Sequence, residues 1–186
     1  MRFLETLLIT DKINNLTFHN NRMNKTRKYF FDANPLNLGE FIEIRTNKRV
    51  RIVYDKDILQ VEYFDLVPRR FEKLKIVHSD IKYEFKSENR VELNNLKIEG
   101  FDEVIIVKNG YITDTTISNL AFYNGKEWHT PNTPLLKGTK REELLKSGFL
   151  KEKTIKLTDL KNYQKIAMMN AILGFYEVGG MDSLEY

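Results

Sequence analysis

The sequence predicts an α+β fold made of short antiparallel strands with a few covering helices. Three observations carry this. Asn109-Gly110 and Asn124-Gly125 each end an apolar run, Val104–Val107 and Leu120–Tyr123, and Asn-Gly supplies the positive φ angles that tight hairpin turns require. Thr17 to Phe31 reads as one long helix, with Phe18, Met23, Tyr29 and Phe30 available for packing. Finally, Thr139 with Glu142 three residues on, ahead of Leu144-Leu145, is a capping-box pattern that places a helix N-terminus at Gly138-Thr139.

Phe3 to Thr10 alternates weakly and is expected as a strand, turned at Asn14-Asn15 into the first helix. After the loop Asn34–Gly39, the stretches Phe41–Arg45, Val50–Tyr54 and Ile58–Val67 read as three strands, the last two joined at Asp55-Lys56-Asp57. Lys73 to Phe85 continues in extended form and leads to a helix over Ser87–Leu96. The stretch Phe101–Leu145 then reads as strands broken by turns, followed by the capped helix. Thr154–Lys156 is expected as a strand, Thr158–Leu160 as a helical turn and Lys165–Asn170 as the final strand.

Composition narrows the function classes. At 186 residues the chain suffices for one domain or two small lobes around a cleft, and 41% hydrophobic content suits a folded globule. Net charge is 30 − 26 = +4, spread over both halves. That is compatible with anionic substrates but lacks the concentrated basic stripe of a nucleic-acid binder, so no nucleic-acid partner is expected. Cysteine is absent, which removes disulfides, thiolate metal ligands and a cysteine nucleophile together. His19, His78 and His129 are scattered without acidic neighbours at ligand spacing, so no metal site is expected. Glu5 interrupts the N-terminal apolar run, which argues against a signal peptide, and no stretch approaches the ~20 apolar residues of a membrane span. The expectation is a cytoplasmic protein without a membrane partner.

Several residues do not look like scaffold. Asp114 lies in the polar run Thr113-Asp114-Thr115-Thr116, where a strand favours β-branched or aromatic residues, and a carboxylate there needs a partner. The Gly138-Thr139 helix start offers backbone N–H groups and the positive end of a helix dipole to an anion. His19 and Arg22 share one helix face, which by itself reads as a solvated basic face. Lys86 stands at a strand-to-helix junction with Arg90 four residues later, and a lone lysine ordinarily belongs to the surface.

ITDTTISNLAFYNGKEWHTP followed by PLLKGTKREELL resembles the C-terminal signature of the fold-type IV, or class IV, pyridoxal-phosphate enzymes: branched-chain aminotransferases, D-amino acid aminotransferases and 4-amino-4-deoxychorismate lyases. The matching positions are Asp114, Ser118-Asn119, Thr130-Pro131 and Gly138-Thr139-Lys140-Arg141, in order, over about a quarter of the chain. His19-x-x-Arg22 resembles the family motif whose arginine grips the cofactor phosphate, and Lys86-x-x-x-Arg90 the segment whose lysine links to pyridoxal 5′-phosphate. Lys82 competes for that role but has no arginine at the matching offset.

The resemblance implies a two-lobe class IV fold with a shortened first lobe, residues 1–78 forming the small lobe and 79–186 the cofactor-binding lobe. It implies Lys86 as the catalytic lysine. Arg22, Asp114, Thr115, Thr116, Gly138, Thr139 and Asn170 accompany it around the cofactor, with Asp114 facing the pyridine nitrogen. Two positions depart from the family pattern: Asp114 replaces the usual Glu, and Ala171 stands where a hydroxyl is common. The implied activity is a 4-amino-4-deoxychorismate lyase releasing pyruvate and 4-aminobenzoate, as a homodimer acting on a small amino substrate, with an aminodeoxychorismate synthase as a possible partner. The alternatives are a branched-chain or D-amino acid aminotransferase, a degenerate non-catalytic binding domain and, last, a basic RNA-binding module.

Overall fold

A computed structural model describes residues 1–186. The α+β architecture is the one the sequence predicts, with the chain divided into two compact units. One comprises Met1–Pro68 with Phe85–Asn89, the other Arg69–Glu84 with Arg90–Tyr186. The cut expected between 78 and 79 therefore does not coincide with the units, because residues 74–78 pair with the second unit's sheet and 85–89 return to the first.

The first unit is a three-stranded antiparallel sheet, β1 (Phe3–Ile9), β2 (Lys48–Tyr54) and β3 (Ile58–Asp65), in that order, with helix α1 (Leu16–Phe31). α1 is entered through Asn15 and left through Asp32, both left-handed at φ 55° and 48°, a conformation that Asn and Asp tolerate. Met23 of α1 meets Phe3, Leu7 and Ile9 of β1 and Ile52 and Tyr54 of β2 in one apolar core. Each such side chain taken from water stabilises the fold by about 1.5–3 kcal/mol. Two expectations fail here. Phe41–Arg45 is not a strand: Phe41 and Ile44 are exposed, and the Glu43 N–H donates to a side chain, the Tyr63 hydroxyl (2.7 Å), rather than to a strand carbonyl. The helix expected from Ser87 shrinks to α2 (Val91–Asn94). Its first residues are instead pinned along β1, with Leu4 N–H donating to the Lys86 carbonyl (2.8 Å) and Glu88 N–H to that of Arg2 (3.0 Å). Tertiary pairing overrides local helical preference.

The second unit is a mixed sheet. β4 (Leu74–His78) and β5 (Glu103–Lys108) run parallel; β6 (Tyr111–Thr115), β7 (Asn119–Tyr123) and β8 (Trp128–Pro131) continue antiparallel. Helix α3 (Thr139–Lys146) follows, then β9 (Leu150–Lys153), β10 (Lys165–Asn170), β11 (Gly174–Gly180) and β12 (Leu184–Glu185). The main path is β11-β10-β7-β6-β5-β4-β12, with β8 and β9 branching from β7. The apolar run of β5 is buried on both faces: Ile105 and Val107 pack with Leu120, Phe122 and Met168, whereas Val104 and Ile106 pack with Ile81, Tyr83 and Leu93. Asn109 (φ 51°) and Gly110 (φ 79°) make the expected tight hairpin between β5 and β6. Asn124-Gly125 also turns the chain in a hairpin, pairing Tyr123 of β7 with Trp128 of β8, but through a longer loop in which Asn124 Oδ1 accepts the N–H groups of Lys126 and Glu127 (2.9 Å each). The strand expected at Thr154–Lys156 falls earlier, at β9, while Ile155 is buried and its carbonyl accepts the Ile112 N–H (2.8 Å). No helix is long and apolar enough to cross a membrane.

Candidate active site

In the first unit, side chains alternate along β1, so Glu5 points the same way as Phe3 and Leu7 and is completely buried. A carboxylate in such a place requires compensation, and α1 provides it from one face. His19 Nδ1 lies 2.6 Å from Glu5 Oε2, Arg22 Nε donates to Oε1 (2.8 Å) and Arg22 Nη2 donates to Oε2 (2.6 Å). Burial alone would raise the Glu5 pKa, but the Arg22 guanidinium and the His19 ring outweigh it and hold it at about 2. His19 is lowered, chiefly by burial, with Glu5 opposing and the charges of Arg22 and Lys86 reinforcing the shift. The ring is thus neutral near pH 7 and, against an acceptor-only carboxylate, carries its proton on Nδ1. Lys86 is half-buried and joined to β1 through the Leu4 N–H, so this unit brings together Arg22 and Lys86. Lys82 is exposed and belongs to the other unit.

The second unit gathers the remaining residues. Asp114, at the β6–β7 connection, is buried; its Oδ1 accepts from Asn119 Nδ2 (2.7 Å) and its Oδ2 from the Leu136 N–H (2.9 Å). Burial pushes its carboxyl up to about 7, opposed by those two donors and by the more remote Arg141. Asn119 also donates to the Leu136 carbonyl (2.8 Å) and approaches the entrance of α3 so closely that a Cβ on residue 138 would stand 2.0 Å from its Oδ1. Gly138 is therefore required by the Asp114–Asn119 arrangement itself. It is the N-cap of α3, extended at φ −73° and ψ 145°, with Thr139 buried as the first helical residue. The expected capping box is thus absent: a glycine occupies the cap, and the first-turn N–H groups of α3 point out of the helix end.

Thr115 ends β6, and Thr116 opens the turn that leads to β7. The Thr115 hydroxyl accepts the N–H groups of Ile117 (3.2 Å) and Ser118 (2.9 Å), and Thr116 donates its N–H (2.8 Å) and hydroxyl (2.6 Å) to buried Glu103. Asn170 braces the same turn, its Nδ2 donating to Ser118 Oγ (2.9 Å) while its Oδ1 accepts the N–H groups of Ile172 and Leu173. Arg90 donates to the Thr116 carbonyl (2.6 Å) and the Tyr83 hydroxyl (3.0 Å). Sequence reasoning missed Glu5 and Glu103. For Glu5 the available signal was a charged residue inside an otherwise apolar strand, whereas Glu103 opens β5 next to Asp102 and carries no such signal.

The first unit thus holds an arginine fixed on a buried acid and a half-buried lysine, and the second holds a buried carboxyl beside a glycine-capped helix start. The model of amino-transferase class IV matches residues 76–179, and the chain belongs to that family, whose cofactor is pyridoxal 5′-phosphate. An uncharacterized protein of Haemophilus influenzae is 36% identical over 182 residues, covering 91% of this chain and 97% of its own. A crystal structure from Haemophilus somnus 129PT, described as a "putative 4-amino-4-deoxychorismate lyase", superposes with a TM-score of 0.87 at 32% identity over 93% of this chain and 97% of that one. A "hypothetical aminotransferase" from Mycobacterium tuberculosis in its PLP-bound form shares the fold at 16% identity, with a TM-score of 0.76 over 95% of this chain and 80% of that one.

Proposed function

We propose that this chain binds pyridoxal 5′-phosphate and cleaves 4-amino-4-deoxychorismate to pyruvate and 4-aminobenzoate. The observation that carries the lyase reading is the near end-to-end likeness to the Haemophilus somnus protein, at 32% identity and without large insertions in either chain. When bound, the cofactor supplies a carbonyl that condenses with amines and a ring that stores an electron pair. Lys86 would be the amine that holds that carbonyl, and its amine would also be the base that moves a proton. Arg22 holds the phosphate with its planar fork. The first turn of α3, from Gly138 and Thr139 into Lys140, is the second phosphate contact, where backbone N–H groups and the helix dipole favour an anion. Thr115, Thr116 and Asn170 shape the turn beside Asp114.

Asp114 takes the role of the acid facing the pyridine nitrogen. With its carboxyl pushed up to about 7, it is poised near neutral pH to share a proton with a ring nitrogen. Being one methylene shorter than the usual glutamate, it is held at its post by Asn119 and the Leu136 N–H. This reading takes a small amino substrate, a homodimer as working assembly, an aminodeoxychorismate synthase as upstream partner and the cytoplasm as location.

An absorbance spectrum with added pyridoxal 5′-phosphate tests it. A visible imine band is expected in the wild type and in Lys82→Ala but not in Lys86→Ala, together with pyruvate release from 4-amino-4-deoxychorismate. Absence of the band from the wild type would overturn the cofactor reading. The second reading is an amino acid aminotransferase, favoured by the description of the matching family model. It predicts a keto acid from an amino acid donor and no pyruvate from the chorismate derivative. A folded protein with the band but neither product would be the non-catalytic binding domain.

A further inference from the structure

Glu5 has no direct part in the scheme above, yet it is the most deeply committed acid of the first unit. It stands in mid-strand between Leu4 and Leu7, fully buried, with His19 and Arg22 both reaching it from one face of α1. Arg22 gives Glu5 two parallel bonds, from Nε and Nη2, which fix the plane of the guanidinium as well as its position. His19 supports the same oxygen that receives Nη2 and blocks rotation of the carboxylate. The cluster is graded from inside to outside: the Glu5 and His19 side chains are 0% exposed, whereas that of Arg22 is 15% exposed.

We propose that Glu5, with His19 behind it, is the positioning device that aims Arg22 at a phosphate and so sets this protein's preference for a phosphorylated ligand over its dephosphorylated form. The proposal rests on the cofactor reading above.

Two effects of removing Glu5 oppose each other. Loss of a negative charge favours any anion nearby, whereas release of the guanidinium disfavours it. Geometry is expected to win. Glutamine in place of Glu5 would set its amide N–H groups against the donor-only guanidinium, so the two-bond pairing cannot persist. Aspartate separates the two effects, since it keeps the charge and shortens the reach by one methylene.

The readout is the ratio of affinities for pyridoxal 5′-phosphate and pyridoxal, measured by titration of the absorbance band at pH 7.5. The wild type is expected to favour the phosphorylated form strongly. The ratio is expected to fall at least about tenfold in both Glu5→Asp and Glu5→Gln, approaching that of Arg22→Met, while pyridoxal binding holds. A merely structural role would weaken both ligands together. An unchanged ratio in Glu5→Asp, or a raised ratio in Glu5→Gln, overturns the proposal and leaves the cofactor reading intact. A wild type that binds neither ligand sinks both. Should the variants not fold, the wild type still decides: the Arg22 Nε–H nitrogen resonance is expected to be resolved, protected from exchange with water, and shifted by inorganic phosphate. A rapidly exchanging or unshifted resonance overturns the proposal.

Discussion

Two buried carboxylates, one in each unit, meet opposite fates. Glu5 and Asp114 are both removed from water and both accept well-formed hydrogen bonds. Glu5 is nevertheless held at about 2 and Asp114 is pushed up to about 7. The difference lies in the charge of the partner. Glu5 faces a guanidinium at 2.6–2.8 Å, whereas Asp114 faces an amide and a backbone N–H, with its cation, Arg141, farther away. Hydrogen bonds alone do not repay desolvation of an ion, and a bidentate cation does. One site thus becomes a fixed ion pair and the other a proton store, the two properties on which the proposed roles of Arg22 and Asp114 depend.

Removing the cation should give the largest effect. Arg22→Met leaves Glu5 buried with His19 as its remaining close partner, and such half-broken pairs cost about 3 kcal/mol. Urea unfolding at pH 7.5 measures this. The Glu5 contribution to stability is present above its ordinary pKa of 4.5 and is lost as pH falls toward 2, so the penalty should shrink on acidification as the variant's Glu5 takes up a proton. A penalty below about 0.5 kcal/mol would mean that the Arg22 pair is a surface contact, and the contrast with Asp114 would collapse.

How far these sites were legible in the sequence follows the same division. Arg22, Asp114 and Gly138 carry local signals: a basic residue on a helix face, an acid in a polar strand run, a glycine at a helix entrance. The Asn109-Gly110 hairpin and α1 were equally local, since both depend on neighbours in the chain. Glu5 was visible only as a charge in an apolar strand, because its reason lies 14 and 17 residues away on α1. The expected helix from Ser87 failed for the same cause, as its first residues pair with β1 through Leu4 and Arg2. The capping box at Thr139 failed by one position because Asn119, far off in sequence, requires a glycine at the cap. Roles set by long-range approach leave no spacing to read.

A smaller effect is expected at Asp114, with the sign reversed. Its raised pKa contributes stability that is full below 3.8 and is lost as pH rises to about 7. Between pH 5 and 7.5 that loss is about 2 kcal/mol. Asp114→Asn should flatten this stretch of the stability profile, measured as denaturation midpoints across the range. A variant profile as steep as the wild type would assign the slope to another group and remove the proton-store reading.

His19 sharpens the comparison with the smallest effect. The ring lies below its usual 6.5, chiefly through burial, so its contribution is present above that value and is lost as pH falls. That sign opposes Asp114: acidification from pH 6.5 to 5 strengthens the second unit through its carboxyl while weakening the first through its imidazole. His19→Asn offers an amide N–H to the Glu5 carboxylate and cannot take up the proton, and should cost about 1 kcal/mol at pH 7.5 from lost packing. Without the imidazole, stability should then rise more steeply on acidification than in the wild type. If the two slopes coincide, His19 is not the group opposing Asp114, and the acid-side balance of the first unit rests on Glu5 and Arg22 alone.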